Sequence, residues 1–346
     1  MSSQLEILDA NEPTARARWI DLWHQWPRRE VQAHPAYLEQ FAGAGELARA
    51  AIFRSAVLYP FLQRVIPGTN ASDLTSAYGY GGAYAWGDDR EQLGREFWSV
   101  FEIWARETGV IAEFMRVAVG TRDLLPYPGE QVRRQDNVII PTDVAPDVAW
   151  SRYAHKVRKN VNKARSAGVR IAVDQRGERL DAFLRIYLAT MSRRNASSSY
   201  HFSEAFFRRL DAALPDNIVY FHAIHGDEVI STELALVSVD RIYSFLGGTD
   251  ERFFDLRPND LLKHEMVTWA HEHGRSQFVL GGGFRPDDGI FQYKKAFAPE
   301  GVVAFFTGQR VYNQERYDQL VAERHAELGA PLASGFFPAY RAPAAS

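Results

Sequence analysis

Cysteine is absent from this sequence of 346 residues, and its absence excludes three kinds of chemistry. Without thiols the chain has no disulfide framework, no thiolate metal site and no cysteine nucleophile. An excess of charge of one sign is also missing, because a formal net charge of -3 provides no global attraction for nucleic acid or an anionic membrane. Any polyanionic partner therefore requires a local patch of positive charge.

Long hydrophobic runs are scarce as well. The longest stretch without Asp, Glu, Lys or Arg covers residues 74–87, and it is rich in glycine and tyrosine, which excludes a transmembrane helix. The amino-terminal segment carries acidic residues where a signal peptide has a basic cap and an apolar run. We therefore expect a cytoplasmic protein. Its length and its 46% hydrophobic composition predict two domains, each with its own core.

The second half of the chain shows a clear order of secondary-structure elements. Apolar periodicity and turn residues predict helices at 150–166, 178–194 and 203–213, three strands with a Gly226-Asp227 hairpin turn, a helix from Pro258 to Gly274, a strand, a helix at 289–297 and a last strand at 301–308. This is the element order of the GNAT acyltransferase fold. We therefore expect an α/β protein, with α+β character and mixed sheets.

The first half shows a less regular version of the same order, which predicts two tandem GNAT-like units with a cleft between them. The Pro-containing segment 141–147 is the expected linker. We assign residues 1–145 to the first unit and 146–312 to a catalytic second unit. Residues 313–346 are expected to form a helix and tail that pack back on the first unit.

The helix predicted at 150–166 carries the strongest local charge, because residues 151–170 contain seven Lys or Arg and no acidic residue. Arg152, Lys156, Lys159 and Lys163 form a basic stripe on one face. Like charges four residues apart destabilise a helix by about 0.2–0.5 kcal/mol per pair. The stripe is therefore either a solvated surface or a binding site for a phosphate-rich partner.

Metal and serine-hydrolase chemistry lack their sequence patterns. His264 and His271 are seven residues apart on one predicted helix, with His273 nearby, but there is no HExxH spacing and no obvious third ligand. We therefore predict no metal. The nucleophile elbow G-x-S-x-G is also missing.

The segment "VLGGGFRPDDGIFQYKKAFAP", residues 279–299, resembles a nucleotide site only at first sight. Its glycines fit neither G-x-G-x-x-G nor the P-loop, so they form either a structural turn or a place where substrate approaches the backbone. Helical spacing puts Ile290, Tyr293 and Phe297 on one face, beside Lys294. A lysine held on this apolar cluster is a preorganised positive charge that can neutralise an oxyanion.

Several of these motifs resemble the Fem-type branch of the GNAT superfamily, the aminoacyl-tRNA-dependent peptidyltransferases. The segment "IFQYKKAF" is similar to the family's Phe-Lys-x-x-Phe motif, with Tyr293 in place of the first Phe. The segment "YAHKVRKNVNKARSAGV" is similar to the family's R-x-N-I-x-x-A-x-x-x-G-V helix, "YLATMSRR" to Y-x-x-T-x-x-R, and "AYGYGGAY" to a loop in the first half of such proteins. The resemblance covers about residues 130–300 and, more loosely, residues 75–85.

The resemblance implies an amine acceptor in the cleft and the 3′ end of a charged tRNA entering through a channel. It implies that Lys294 stabilises the tetrahedral intermediate and that Arg193, or the adjacent Arg194, binds the acceptor. The basic stripe then becomes the tRNA contact. Because the long helical arm of many Fem ligases is absent from the sequence, we expect a soluble acceptor rather than a lipid-linked one.

Other site residues are expected from their surroundings. Glu233 is the candidate general base, because burial in a strand can raise the pKa of a carboxyl. Asp287 and Asp288 are candidates for holding the acceptor amine. Tyr80, in the glycine-rich loop, and Tyr200 are further candidate substrate contacts.

We expect no bound cofactor, with aminoacyl-tRNA as the co-substrate. CoA is disfavoured because the junction "FFDLRPNDLLK" lacks the glycines that let backbone amides converge on a pyrophosphate. The sequence thus predicts an enzyme that joins an amino acid from aminoacyl-tRNA to the amine of a peptide, an antibiotic precursor or a peptidoglycan precursor. The alternatives are an acyl-CoA-dependent N-acyltransferase acting on a sugar or polysaccharide precursor, and an RNA-binding module without activity.

Overall fold

The computed structural model describes residues 5–87, 89–194, 201–285 and 288–345. The chain divides into two compact units, of which the first comprises residues 1–134 and 305–346 and the second comprises residues 135–304. The second unit is therefore a continuous stretch that lies, in sequence, between two segments of the first.

The first unit begins with strands and helices that build most of one mixed sheet. They are β1 (Leu5–Asp9), α1 (Pro13–Gln25), α2 (Pro35–Glu39), β2 (Glu46–Phe53), β3 (Val57–Val65), β4 (Ser72–Thr75), β5 (Tyr84–Ala85), α3 (Arg90–Glu107), β6 (Val110–Arg116) and β7 (Glu130–Arg133). Helix α3 follows the helical period closely, and it buries Phe97 and Phe101 against Tyr59 and Phe61 of β3. This aromatic layer forms the core of the unit.

The second unit contains the elements of the segment that resembles the GNAT fold. They are β8 (Asn137–Pro141), α4 (Pro146–Arg152), α5 (His155–Ser166), β9 (Arg170–Asp174), α6 (Leu180–Arg193), α7 (Glu204–Ala213), β10 (Ile218–His225), β11 (Glu228–Val237), β12 (Arg241–Thr249), α8 (Pro258–Glu272), β13 (Gln277–Gly281), α9 (Gly289–Lys295) and β14 (Val302–Val303). The strands form one sheet in the order β14-β8-β13-β12-β11-β10-β9.

Helices cover both faces of this second sheet. On β10 and β11, Phe221 contacts Trp269 of α8 and Glu233 contacts Lys263 of the same helix. The alternate residue Tyr220 contacts Phe183 of α6. Because neighbouring residues of a strand point to opposite faces, α8 lies on one face of the sheet and α6 on the other.

After the second unit the chain returns to the first sheet. It forms β15 (Phe306–Val311) and α10 (Gln314–Leu328). Strand β15 pairs with both β6 and β7, which completes the sheet order β1-β2-β3-β4-β6-β15-β7, with β5 paired to β3.

Three predicted features differ from the structure. The helix predicted at 150–166 is two helices, because Tyr153 is extended and the amide of Ala154 donates to the carbonyl of Ala296. The strand predicted at 301–308 is also divided, since Val302–Val303 pairs with β8 while Phe306–Val311 joins the first sheet. Strand β8, which our assignment placed in the first unit, pairs with β13 in the second sheet.

Across the described ranges, none of the helices combines the length and the apolar character that a membrane crossing requires.

Candidate functional site

The second sheet opens between two of its parallel strands. Strands β12 and β13 pair only from Arg241 to Tyr243 and from Gln277 to Val279, whereas β12 continues to Thr249 beside β11. The two strands therefore part after three residues. We call the gap beside residues 244–249 of β12 the strand opening, and it lies at the carboxyl ends of both strands, where ligands bind in open α/β sheets.

The corresponding parallel pair of the first unit is closed. Strand β4 pairs with β6 through its last residue, Thr75, which lies opposite Phe114, and the amide of Ser76 still donates to the carbonyl of Phe114. The strand opening is therefore a property of the second unit, and we take it as the candidate site.

A turn of three glycines follows β13 at this opening. Gly281 has a φ of +74°, which favours glycine. A Cβ at Gly282 would lie 2.9 Å from the carbonyl oxygen of Asp136, and a Cβ at Gly283 would lie 2.3 Å from Oδ1 of Asp288. These contacts require glycine for local packing, so the turn is structural.

Asp288 holds the turn together from its other end. Its Oδ1 accepts a hydrogen bond from the amide of Phe291 as the N-cap of α9, and its Oδ2 accepts from the amides of Phe284 and Arg285. Burial would raise the pKa of this carboxyl, but the backbone amides outweigh it and hold the pKa below its usual value. The carboxylate predicted to hold an acceptor amine is thus occupied by the backbone.

Lys294 reaches the strand opening from α9. Its Nζ donates a hydrogen bond of 2.7 Å to the carbonyl of Gly282, which fixes the ammonium at the end of β13. Burial and, after it, the positive charge of Lys263 lower the pKa of Lys294 to about 8, although the carboxylates of Glu233 and Asp288 oppose the change. The ammonium is therefore preorganised, and it is still protonated at neutral pH although its pKa lies only about one unit higher.

A second lysine, Lys263 of α8, belongs to a buried polar cluster. Its Nζ pairs with Oε1 of Glu233 and donates to Oγ of Ser244 at 2.8 Å. Ser244 is the first residue of β12 beyond the stretch paired with β13. We call Lys263, Glu233 and Ser244 the inner cluster.

The inner cluster affects what each of its groups can do. Burial lowers the pKa of Lys263, while the adjacent carboxylate of Glu233 opposes that change. The Phe278 ring of β13 also lies 5.6 Å from this ammonium, within the range of a cation–π contact. Because Glu233 is committed to an ion pair, its surroundings argue against the general-base role.

Tyr293 and the start of α8 form the other wall of this region. The Tyr293 hydroxyl accepts a hydrogen bond of 2.9 Å from the side-chain amide of Asn259. Asp260, one residue further, is buried and accepts from Asn160 of α5 at 3.2 Å. Burial raises the pKa of Asp260. Asn160 therefore links α5 to the amino-terminal end of α8.

The basic stripe lies on two helices instead of one. Arg152 ends α4, whereas Lys156, Lys159 and Lys163 belong to α5, and all four side chains are exposed. The opposite face of α5 is buried through Val157, Val161 and Ala164. The predicted amphipathic division of this helix is therefore present, with the lysines on the solvent side.

The two candidate acceptor arginines differ in their surroundings. Arg193 lies over the Phe254 ring at 4.8 Å, and its Nε is 3.6 Å from Oε2 of Glu251. Arg194, the residue after α6, is exposed. Only the first of the two is thus held by aromatic and charged neighbours in the described structure.

Three candidates remain, namely Tyr80, Tyr200 and Asp287. Tyr80 belongs to the first unit, where its ring contacts that of Phe305 at 6.0 Å. Tyr200 and Asp287 lie outside the described residues.

The histidines considered as metal ligands make other contacts. The Nδ1 of His271 is 3.0 Å from the carbonyl oxygen of Thr142, and that of His273 is 2.8 Å from the carbonyl oxygen of Trp269. His264 is buried, with Nδ1 3.4 Å from the Tyr153 hydroxyl. Within the described parts of the chain, no group of three or more His, Asp or Glu residues is placed to hold a metal ion.

Sequence reasoning did not identify Lys263 and Ser244. The signal for Lys263 was present, because helical spacing places this lysine three and four residues before the buried Met266 and Val267. A lysine on the apolar face of a helix needs a buried partner. Ser244 carried no such signal, since its role depends on where two strands part.

Comparisons with known proteins agree with this architecture. The family model described as an acetyltransferase (GNAT) domain matches residues 151–295. A structure of FemX has a TM-score of 0.66 at 15% identity and covers 88% of this chain and 98% of that chain. The structure of L-PGS from Bacillus licheniformis has a TM-score of 0.56 at 12% identity, covering 88% and 93%. None of the curated proteins matches the chain significantly.

A further structure supports the same fold. The C-terminal domain of a putative lysylphosphatidylglycerol synthetase from Agrobacterium fabrum has a TM-score of 0.54 at 10% identity and covers 87% of this chain and 94% of that chain. The predictions of an α/β fold with two tandem GNAT-like units and of a Fem-type resemblance are confirmed at the level of the fold.

Proposed function

We propose that this chain transfers an aminoacyl group from aminoacyl-tRNA to an amine and forms an amide bond. The match to an acetyltransferase (GNAT) domain and the similarity of the fold to that of FemX support this proposal. The expected acceptor is a soluble peptide, an antibiotic precursor or a peptidoglycan precursor. The observation that carries the proposal is the ammonium of Lys294, which is held on the carbonyl of Gly282 beside the strand opening.

The chemistry needs a positive charge more than it needs a nucleophile on the enzyme. The acceptor nitrogen forms a bond to the ester carbonyl carbon, the carbon–oxygen bond to the ribose breaks, and one amine proton ends on the ribose oxygen. An oxyanion develops on the carbonyl as the carbon becomes tetrahedral. The ammonium of Lys294 has three N–H groups, so the bond to Gly282 orients the other two for that oxyanion.

Positioning supplies much of the remaining rate enhancement, because the aminoacyl ester is already activated. Holding two reactants in a near-attack geometry can contribute about 7–11 kcal/mol. Arg193, held against Phe254, is the candidate anchor for an anionic group of the acceptor, with Arg194 beside it in sequence.

The donor is proposed from the charges near α8 and α5. Asp260 lies buried in the first turn of α8, where an acidic group disfavours a pyrophosphate such as that of CoA. The exposed lysines of α5 face solvent without an intervening acid, which suits the phosphates of a tRNA. We therefore prefer aminoacyl-tRNA as the donor.

A second function is favoured by one observation. The matched family model is described as an acetyltransferase domain, which is consistent with an acyl-CoA-dependent N-acyltransferase that acts on a sugar or polysaccharide precursor. The same lysine would then stabilise the oxyanion formed from a thioester.

Transfer assays on variants at Lys294 test the proposal. With a pool of aminoacylated tRNAs and a panel of amines, we expect RNase-sensitive formation of an amide, and we expect Lys294→Met to reduce its rate by about 10²–10³-fold. Lys295→Met, the adjacent lysine, is the matched control and should keep most activity. Full activity in the Lys294→Met protein would overturn the proposed mechanism.

Two further results separate the donors. Thiol release from acetyl-CoA, with no transfer from aminoacyl-tRNA, would establish the second function. For the tRNA donor, Lys156→Glu with Lys159→Glu should weaken tRNA binding and reduce its salt dependence, since about two phosphate contacts are lost. Arg208→Glu with Arg209→Glu on α7 makes the same change in net charge and should leave tRNA binding nearly unchanged. RNA binding without any transfer would indicate a binding module.

A further inference from the structure

Lysine is rare in this chain, and its distribution points to the candidate site. The sequence contains six lysines against 34 arginines, and all six lie between residues 156 and 295. Three are on the exposed face of α5, Lys295 ends α9, and the other two are the partly buried Lys294 and the fully buried Lys263. Lysine differs from arginine in having a compact ammonium that can lose its proton when it is buried.

Lys263 is enclosed by polar and aromatic partners. It is 4% exposed, and its Nζ is enclosed by Glu233, the hydroxyl of Ser244 and the Phe278 ring. Lys263 belongs to α8, and these three partners come from β11, β12 and β13. A buried ion pair contributes little net stability compared with well-packed apolar residues, so stability alone does not explain a lysine here.

The charges near Lys294 indicate a different role for the ion pair of Lys263 with Glu233. Among the described residues they are Lys263 from α8, Glu233 from β11 and Asp288 from the start of α9. The carboxylate of Asp288 already accepts three backbone amides. Glu233 is therefore the carboxylate of these two that is paired with a lysine side chain, and its negative charge acts on both Lys263 and Lys294.

We propose that Lys263 is a positioning residue for the transfer reaction, because its ion pair with Glu233 keeps that carboxylate from pairing with Lys294. The ammonium of Lys294 then stays on the carbonyl of Gly282, available to an oxyanion. This inference rests on the proposed function only in the role of Lys294, and its central claim concerns charges that can be measured without substrate.

The small number of lysines makes a direct measurement possible. Protein labelled with ¹³C at the lysine Cε gives one NMR signal for each of the six lysines, and the pH titration of each signal reports its pKa. The signal that is missing from the spectrum of Lys294→Met is assigned to Lys294. In Lys263→Met we expect the pKa of Lys294 to rise by about one unit or more, because Glu233 becomes its neighbouring counter-charge.

Activity should follow the same exchange of partners. We expect Lys263→Met to lower kcat for transfer about tenfold or more, because the ammonium of Lys294 then pairs with Glu233 and no longer stabilises the oxyanion. We also expect the alkaline limb of the pH profile to move to higher pH. Lys263→Arg keeps the positive charge and should change the pKa of Lys294 least. The double variant Lys263→Met/Glu233→Gln removes both charges and should return that pKa towards its original value and recover most of the transfer rate.

Glu233→Gln alone provides a test if Lys263→Met does not fold. Because Lys263 then repels Lys294 without an intervening negative charge, the pKa of Lys294 should fall. An unchanged pKa of Lys294 in both Lys263→Met and Glu233→Gln would overturn the proposal. Loss of transfer in Lys263→Met with no shift in the pKa of Lys294 would also overturn it, since that result indicates a purely structural lysine. Full transfer activity in the Lys294→Met protein would instead refute the proposed catalytic role of Lys294, and absence of transfer by the unmodified protein would refute the proposed function, whatever the NMR titration shows.

Discussion

Lys294 is held in an environment that opposes its charge. Its ordinary pKa is near 10.4, and burial lowers it to about 8 in the folded protein. At neutral pH the folded state therefore carries a charged group at a cost, and that cost disappears above pH 10 because the ammonium is then neutral in both states. Between these limits the unfolded chain binds more protons, so this residue makes stability rise with pH.

Lys294→Met should therefore stabilise the protein while it removes transfer. The pKa difference corresponds to about 3 kcal/mol, and the lost hydrogen bond to Gly282 offsets about 1 kcal/mol. We expect a gain on the order of 2 kcal/mol in the free energy of unfolding at pH 7, measured by urea denaturation. The gain should shrink by pH 9.5, and a destabilised variant at pH 7 would contradict the account.

Single residues were predictable where the pattern around them was local. Lys294 was identified beside a predicted apolar face of Ile290, Tyr293 and Phe297, and the structure places it at the strand opening. The prediction was wrong for Ile290, which is exposed. Glu233 was recognised as a half-buried carboxyl, but its partner was not, because Lys263 is 30 residues away in the chain. This pairing depends on how α8 packs against the sheet, which the sequence does not display.

At the scale of elements, the turn between β13 and α9 decides where the lysine points. The Gly282 carbonyl binds Lys294, and the following Gly283 allows the carboxylate of Asp288 to approach the backbone. The turn and the helix cap are therefore one unit, and a change at one glycine should reach the lysine through it.

Gly283→Ala is expected to disrupt this unit. The new Cβ would lie 2.3 Å from Oδ1 of Asp288, and such overpacking costs about 1–3 kcal/mol. We expect a lower melting temperature and slower transfer. Gly289→Ala is the matched control, because nothing lies within 4 Å of its added Cβ, and it should be neutral or slightly stabilising. Equal effects of the two substitutions would contradict the close approach.

Elements with strong periodicity or turn chemistry were predicted well. The Gly226 hairpin is present, with a φ of +59° at that residue, and helices α6 and α7 lie close to their expected positions. The break at Tyr153 was not predicted, since it is set by the contact of Ala154 with Ala296, far along the chain. The division of the strand at 301–308 was missed for the same reason: its two halves pair with different sheets.

At the scale of the whole molecule, the two segments of the first unit, residues 1–134 and 305–346, are adjacent where the second unit is inserted. The amide of Arg134 donates to the carbonyl of Phe305 at 2.8 Å, and Arg133 lies opposite Phe306 in the pairing of β7 with β15. The second unit thus leaves and rejoins the first at adjacent points of one hairpin-like pair.

We therefore expect the first unit to fold without the second. A chain of residues 1–134 joined to 305–346 by an Asn-Gly turn should show cooperative urea unfolding by circular dichroism and no transfer. Residues 1–134 alone are the matched control and should not fold, because β15 lies between β6 and β7 in the sheet. An unfolded joined chain would show that the first unit depends on the second.

The place of β15 also has a consequence for synthesis. Ribosomes deliver the chain from its amino terminus, and domains generally fold as they emerge. Strands β6 and β7 are made early, but the strand that belongs between them is made after residue 304. The second unit is therefore fully translated while the sheet of the first unit still lacks one strand. Between the synthesis of β7 and that of β15, the unpaired strand edges are therefore available for a chaperone to bind.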